Sequence, residues 1–296
     1  MPSASRFMAP TTASGGPVKV VVDSSSGLGA TLAERWGVDV VPMYVTWEDT
    51  TYREGVDHFP ADFYRRLTER DDNPKTSAPN AADFAAIYAR CASEGYGHVV
   101  VVTPSMGISG VAQNAMLGSR GVPGIGVTVV DSRQGAGSQA LIAAHAARLA
   151  RAGGTAAEVV AAAENAVGRV GVWMCLDTLR YLRRSGRLSS AQAIVGEAIR
   201  LRPIVSFADG VLRVVDKPRT RSRATARLLD CLEGPMRSMR HLLAMYSDDP
   251  RDGDELVSLL RQRYPSEDVV IDSCAISAVV GGHCGSGTRG VAASWT

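Results

Sequence analysis

The chain has almost no excess charge, few aromatic residues, no long apolar run and no closely paired cysteines, and each shortage closes off a class of function. Its 32 lysines and arginines against 30 aspartates and glutamates leave a formal charge of +2, too balanced to hold nucleic acid through overall charge. No apolar stretch approaches the ~18 residues of a membrane-spanning helix, so no integral membrane segment is expected, which still leaves room for transient membrane contact. The first 16 residues, rich in Ser, Thr, Ala, Pro and Gly, lack the apolar core of a signal peptide and read as a disordered leader. The five cysteines, Cys91, Cys175, Cys231, Cys274 and Cys284, are odd in number, far apart and free of any C-x-x-C pair. Reduced thiols in a cytoplasmic protein, with no metal site, are the simplest reading.

Catalytic signatures are missing as well. There is no G-x-S-x-G elbow, no H-E-x-x-H and no acidic or histidine cluster with metal spacing. The glycine-rich run Gly281–Gly287 lacks the lysine and hydroxyl residue of a phosphate loop and the pattern of a dinucleotide fingerprint. Cys284 follows His283 directly, and adjacent residues rarely point at one place, which disfavours a Cys-His nucleophile. No catalytic residue is assigned, and a binder is favoured over a hydrolase. With aromatics at 6%, the plentiful aliphatic residues suit an apolar tunnel and an ordinary core equally well.

What is present is a regular alternation. At 296 residues, 45% hydrophobic and 21% charged, the chain is long enough for two ordinary domains. Short β-branched runs at 18–22, 38–45, 98–103 and 126–130 are each trailed by amphipathic sequence, which predicts a parallel sheet with crossover helices. Alanine-rich 136–149 predicts a helix, and Gly153-Gly154 breaks the chain before another at 155–167. That diglycine sets the expected boundary between an N-terminal Rossmann-like α/β domain, 17–154, and a C-terminal domain, 155–296, whose mixture of antiparallel pairing and helices fits mixed α/β or α+β. The second half predicts a strand at 170–176, a helical pair across Ser185-Gly186, a hairpin (203–207 and 211–215) around Asp209-Gly210, a long helix from about Ser222 and a strand at 241–246. A further helix and strands at 268–271 and 276–280 complete it.

Three stretches gather small donors on glycine-loosened backbone: Thr76-Ser77, Ser105–Gly110 and Gly281–Gly285. Hydroxyls, an imidazole and bare N–H groups without an adjacent base suit a small buried anion. Ser109 precedes Gly110 and a helix-compatible run, so its hydroxyl and the first free N–H groups of that helix would face one point. Ser24, Ser25 and Ser132 follow predicted strands and fit a crevice at the sheet's carboxyl edge, or equally well simple helix N-caps. His283 is either a donor to a carboxylate or phosphate oxygen or part of a structural turn. Arginines cluster at Arg180, Arg183, Arg184 and Arg187, and again from Arg200 to Arg223. They read as a solvated face or as a docking face for an acidic or phosphorylated partner.

Taken in order, several blocks resemble the DegV family from Val18 to about Val291: Val21-Val22-Asp23-Ser24-Ser25, Lys75-Thr76-Ser77-Ala78-Pro79, Ser105–Gly110, Val130-Asp131-Ser132, Tyr181–Leu188, Arg202-Pro203-Ile204 and Gly282–Gly287. The resemblance implies a two-domain α/β protein with a long-chain fatty acid in a tunnel between the domains. It implies further that a separate fatty-acid kinase phosphorylates the presented carboxylate for phospholipid synthesis. By motif match the carboxylate contacts fall on Thr76, Ser77, Ser109 with Gly110, and His283, and the kinase- or phosphate-facing positions on Arg187 and Arg202. No cofactor is implied beyond the fatty acid as ligand. The alternatives are a lipid-sensing module without a kinase partner, or a stand-alone enzyme of the related dihydroxyacetone-kinase-type fold. The chain departs from the family pattern where Val111-Ala112 replace Thr-Tyr, Ala78 stands where Gln is frequent and Ser286 interrupts Gly-Pro-Gly.

Overall fold

The structure is a computed structural model and describes residues 6–8, 15–57, 62–69, 74–188, 201–233 and 238–296. In chain order its elements are β1 (Arg6–Met8), β2 (Val18–Asp23), α1 (Ala30–Trp36), β3 (Val38–Val41), β4 (Tyr44–Trp47), β5 (Thr50–Arg53), α2 (Phe63–Glu69), β6 (Lys75–Ser77), α3 (Ala81–Ser93), β7 (His98–Thr103), α4 (Val111–Ser119) and β8 (Gly126–Asp131). They continue as α5 (Gly137–Arg151), α6 (Ala156–Val167), β9 (Val170–Cys175), α7 (Arg180–Arg184), β10 (Ile204–Ala208), β11 (Val211–Asp216), α8 (Arg221–Asp230), β12 (Met239–Tyr246), α9 (Pro250–Arg263), β13 (Val270–Ala275), α10 (Ala278–Cys284) and β14 (Arg289–Trp295).

The N-terminal sheet runs β1-β8-β7-β2-β3, parallel except at its β1 edge. Every residue of β7 and β8 is buried, as strands covered by helices on both faces require, which is why they read as unbroken valine runs. The C-terminal sheet runs β11-β10-β9-β14-β12-β13 and mixes antiparallel pairs with one parallel pair, β12 with β13. Helix α5 lies between the two layers, touching β2, β3 and β7 on one side and β9, β12 and β14 on the other. One continuous apolar cluster therefore joins Val20, Val22 and Val100 to Val172, Met174 and Ala292. Helix α6, beyond the diglycine, packs on β7 and β8 of the first sheet, and a Thr155–Glu158 capping box starts it.

The structure differs from the sequence-based expectation at several points. The run 38–45 is two strands: Pro42 offers no N–H to a ladder, and β4 leaves for a small sheet ordered β5-β4-β6. The expected strand at 276–280 is instead the start of α10, where Ser277 caps the helix by accepting from Val280 N at 3.2 Å. Gly281 to Cys284 are thus helical and not a glycine loop. β14, buried throughout, fills the centre of the C-terminal sheet and was not among the expected strands. Within the expected leader, β1 pairs antiparallel with β8. The second half of the helical pair after Ser185-Gly186, and Arg200, lie outside the described residues. Among the described residues no helix is long and apolar enough to cross a membrane and no cluster has a metal-ligand set.

Candidate ligand-binding cavity

A cavity of about 260 Å³ opens where the carboxyl ends of the parallel strands meet the C-terminal sheet, just below the ~300–1,000 Å³ range typical of small-molecule sites. Ile108, Met174, Leu182, Phe207, Leu212 and Val280 give it an apolar wall. Its polar groups come from segments far apart in sequence, and three elements bring together Thr76, Ser109 and His283.

The first is β6. Strand alternation turns Thr76 toward the cavity and leaves Ser77 exposed on the opposite face, outside the lining. The second is the turn entering α4. Ile108 N and Ser109 N both donate to Ser105 O, at 3.0 and 3.1 Å, and this turn presents Ser109 and Gly110 to the cavity. Gly110, the N-cap of α4, supplies no side-chain cap, so the orphan N–H groups of that helix are left for a ligand or water. Ser105 itself is committed elsewhere: its hydroxyl donates to Gly210 O at 2.6 Å, tying the β10–β11 hairpin to this turn. Gly107 sits under the same hairpin, where a Cβ would come within 2.7 Å of Gly210 O.

The third element is α10, which carries His283 in its last turn. His283 Nε2 and Thr76 Oγ1 share a hydrogen bond of 3.0 Å. Burial, with a smaller push from the Arg187 charge, lowers the imidazole to about 4, so the ring is neutral near pH 7. Gly281 and Gly282 serve packing: a Cβ at Gly281 would collide with the Tyr64 ring, and one at Gly282 would lie 2.9 Å from Pro74 Cγ. Cys284 lines the cavity, but burial pushes its thiol up to about 12, which leaves no thiolate for chemistry.

The two arginines part company. Arg187 lines the cavity and donates to Ser185 O at 2.5 Å. Arg202 lies outside the lining, in an ion pair with Asp177. Among the serines at strand ends, Ser132 accepts from Gln134 N in a local turn, whereas Ser25 is buried in the cavity wall. Ser25 Oγ donates to Asp23 Oδ1 at 2.5 Å, and Gln139 Nε2 donates to Asp23 Oδ2 at 2.8 Å and to Val102 O at 3.0 Å. Asp23 is fully buried, and that burial raises its carboxyl above the usual range against these hydrogen bonds. Gln139 carried no local signal in the sequence, since only the fold brings it to Asp23. Chemically, the cavity offers neutral hydroxyl, imidazole and backbone groups, with the Arg187 guanidinium on the same lining, beside an apolar wall, which suits an amphiphile with a small anionic head.

Two stacked α/β layers with such a cavity at their junction define a two-domain α/β binding fold. The chain belongs to the DegV family: the profile described as "Uncharacterised protein, DegV family" matches residues 17–295. A DegV domain-containing protein of Streptomyces coelicolor is 34% identical over 283 residues, covering 94% of this chain and 98% of that one. Among solved structures, a DegV family protein from Thermus thermophilus, described by its fatty acid binding, superposes with a TM-score of 0.80 at 29% identity, covering 95% of this chain and 100% of that one. DegV of Bacillus subtilis, described as a fatty acid binding protein, gives 0.83 at 27% identity with the same coverage.

Proposed function

We propose that this protein binds a long-chain fatty acid and presents its carboxylate to a separate fatty-acid kinase, itself contributing no catalytic group. The observation that carries the reading is the meeting of Thr76, Ser109 and His283 at an apolar cavity, together with the fatty acid binding of the Thermus and Bacillus relatives. A buried methylene contributes ~0.8 kcal/mol, so a sixteen-carbon tail supplies on the order of ten kcal/mol before ordering costs. The tail accounts for affinity. The head must then be hydrogen-bonded to be buried at all. Thr76, Ser109, neutral His283 and the N–H groups following Gly110 meet that need without a tight ion pair, which leaves a carboxylate oxygen nucleophilic toward a γ-phosphate. Ser77, whose side chain lies on the exposed face, has no part in this set. Arg187, on the lining, is placed to steady the charge that develops there, while Arg202 is engaged with Asp177.

Organic extraction of the purified protein followed by mass spectrometry tests the binding step, with one fatty acid per chain expected. A ligand-free protein that also refuses added fatty acids contradicts it. For the second step, the loaded protein is mixed with the cognate kinase and ATP and acyl phosphate is trapped as the hydroxamate. The isolated chain is expected to turn over no ATP, and a bound fatty acid that no kinase phosphorylates would favour a lipid-sensing module.

A further inference from the structure

Glu54 lies just beyond β5, outside the cavity, yet its carboxylate is linked to three parts of the cavity wall. Oε1 accepts from Val279 N at 3.2 Å, at the N-terminus of α10, where an acidic group also complements the helix dipole. Oε2 accepts from Ser24 Oγ at 2.6 Å, and Ser24 Oγ in turn accepts from Met43 N at 3.0 Å. Val279 and Met43 both line the cavity, as does Ser25 next to Ser24. One chain of hydrogen bonds thus runs from Met43 through Ser24 and Glu54 to the helix that ends in His283. The hydroxyl of Ser24 has a single proton, committed to Glu54, and both carboxylate oxygens are occupied.

We propose that Glu54 is a positioning residue of the acyl site, its ionised carboxylate holding α10, and with it His283, in register with the Met43 and Ser24–Ser25 walls. This rests on the fatty-acid reading of the cavity. On protonation the bond to Ser24 must reverse, Glu54 donating to Ser24 Oγ, which turns the Ser24 proton away from its carboxylate acceptor and rearranges the chain of hydrogen bonds. Burial raises this carboxyl to about 7, which puts the change in an accessible range. The other titratable groups facing it are Asp23 behind Ser24, Tyr64 of α2 and, around the groove that Glu54 lines on its outer side, Cys274, Glu34 and the Lys19–Asp39–Arg90 ion-pair cluster. Arg53 and Asp57 on its own turn are bonded to each other at 2.9 Å.

The test combines two readouts on the full chain, wild type against Glu54→Gln, with Ser24→Ala as a second variant. Methyl-labelled methionine NMR without ligand is expected to show the Met43 methyl titrating with a midpoint near 7 in wild type and flat in Glu54→Gln. Equilibrium binding of a fluorescent sixteen-carbon fatty acid is expected to tighten several-fold from pH 6 to pH 8 in wild type. In Glu54→Gln it should be weaker at pH 8 and flat with pH, and Ser24→Ala should weaken binding in the same direction. A Met43 signal that ignores pH, or titrates identically in Glu54→Gln, overturns the inference whether or not fatty acid binds. A protein that shows the Met43 titration but takes up no fatty acid sinks the functional reading instead.

Discussion

An acid and a base sit at the two ends of the short helix α10, Glu54 packed against its start and His283 within its last turn, and burial acts on them in opposite directions. At its N-terminus Glu54 is raised from 4.5 to about 7, mainly by burial. In its last turn His283 is lowered from 6.5 to about 4, again mainly by burial. Burial disfavours whichever form is charged, so the acid rises and the base falls, and between these values both groups are neutral. The difference lies in what each end needs. The Glu54 end has backbone N–H groups to reward a negative charge once it forms, whereas the His283 end has the Thr76 hydroxyl and the Arg187 charge beside it and so stays neutral.

The largest expected effect breaks the His283 end outright. Ser109→Ala combined with His283→Ala should weaken fatty-acid binding about a hundredfold, since each lost hydrogen bond to a charged head costs about 1.5 kcal/mol or more. Titration against a fluorescent fatty acid would read it, and an unchanged affinity would remove both residues from the site.

Next comes the pH dependence of stability. His283 binds a proton more readily in the unfolded chain, so its contribution rises with pH across about 4 to 6.5, by on the order of 3 kcal/mol. Glu54 binds its proton more readily when folded, so its contribution falls as pH rises from 4.5 to about 7, by a similar amount. In wild type the two slopes oppose each other over their common window. His283→Asn should uncover a stability that declines with rising pH, and Glu54→Gln one that climbs. Urea melts at pH 5 and 6.5 distinguish these outcomes, and parallel profiles for the two variants would refute the assignment.

A smaller effect is expected at Thr76→Val, which takes one hydroxyl from the pair with His283 and should cost about fivefold in affinity. The smallest is at Arg202→Ala, where a partly exposed pair with Asp177 is lost, worth under ~1 kcal/mol. Fatty-acid affinity should stay within twofold, and a large loss would place Arg202 back in the site.

The parallel layer was legible because its strands are buried on both faces: 98–103 and 126–130 could hardly be anything else. Thr76, Ser109 and His283, which the structure brings to one cavity, were legible as candidates because each is a polar side chain beside small residues in a short motif. Ser77, named by the same motif, lies outside the lining, since a motif names neighbours along the chain while a strand sends them to opposite faces. The stretch 276–280 misled because Ile276, Val279 and Val280 favour strand locally, whereas Ser277 and a carboxylate from Glu54, 225 residues away in sequence, make it a helix start. β14 gave little signal because small residues, Gly290, Ala292 and Ala293, occupy its buried centre. Gln139 and Glu54 were invisible for one reason: their partners meet them only in the folded chain.

The most direct test of the head-group site is the carboxyl signal of palmitate labelled with ¹³C at its first carbon, observed by NMR on the purified protein. A single bound signal, saturating at one per chain and displaced in both Ser109→Ala and His283→Asn, is the predicted result. A bound signal indifferent to both substitutions would place the carboxylate elsewhere and contradict the account.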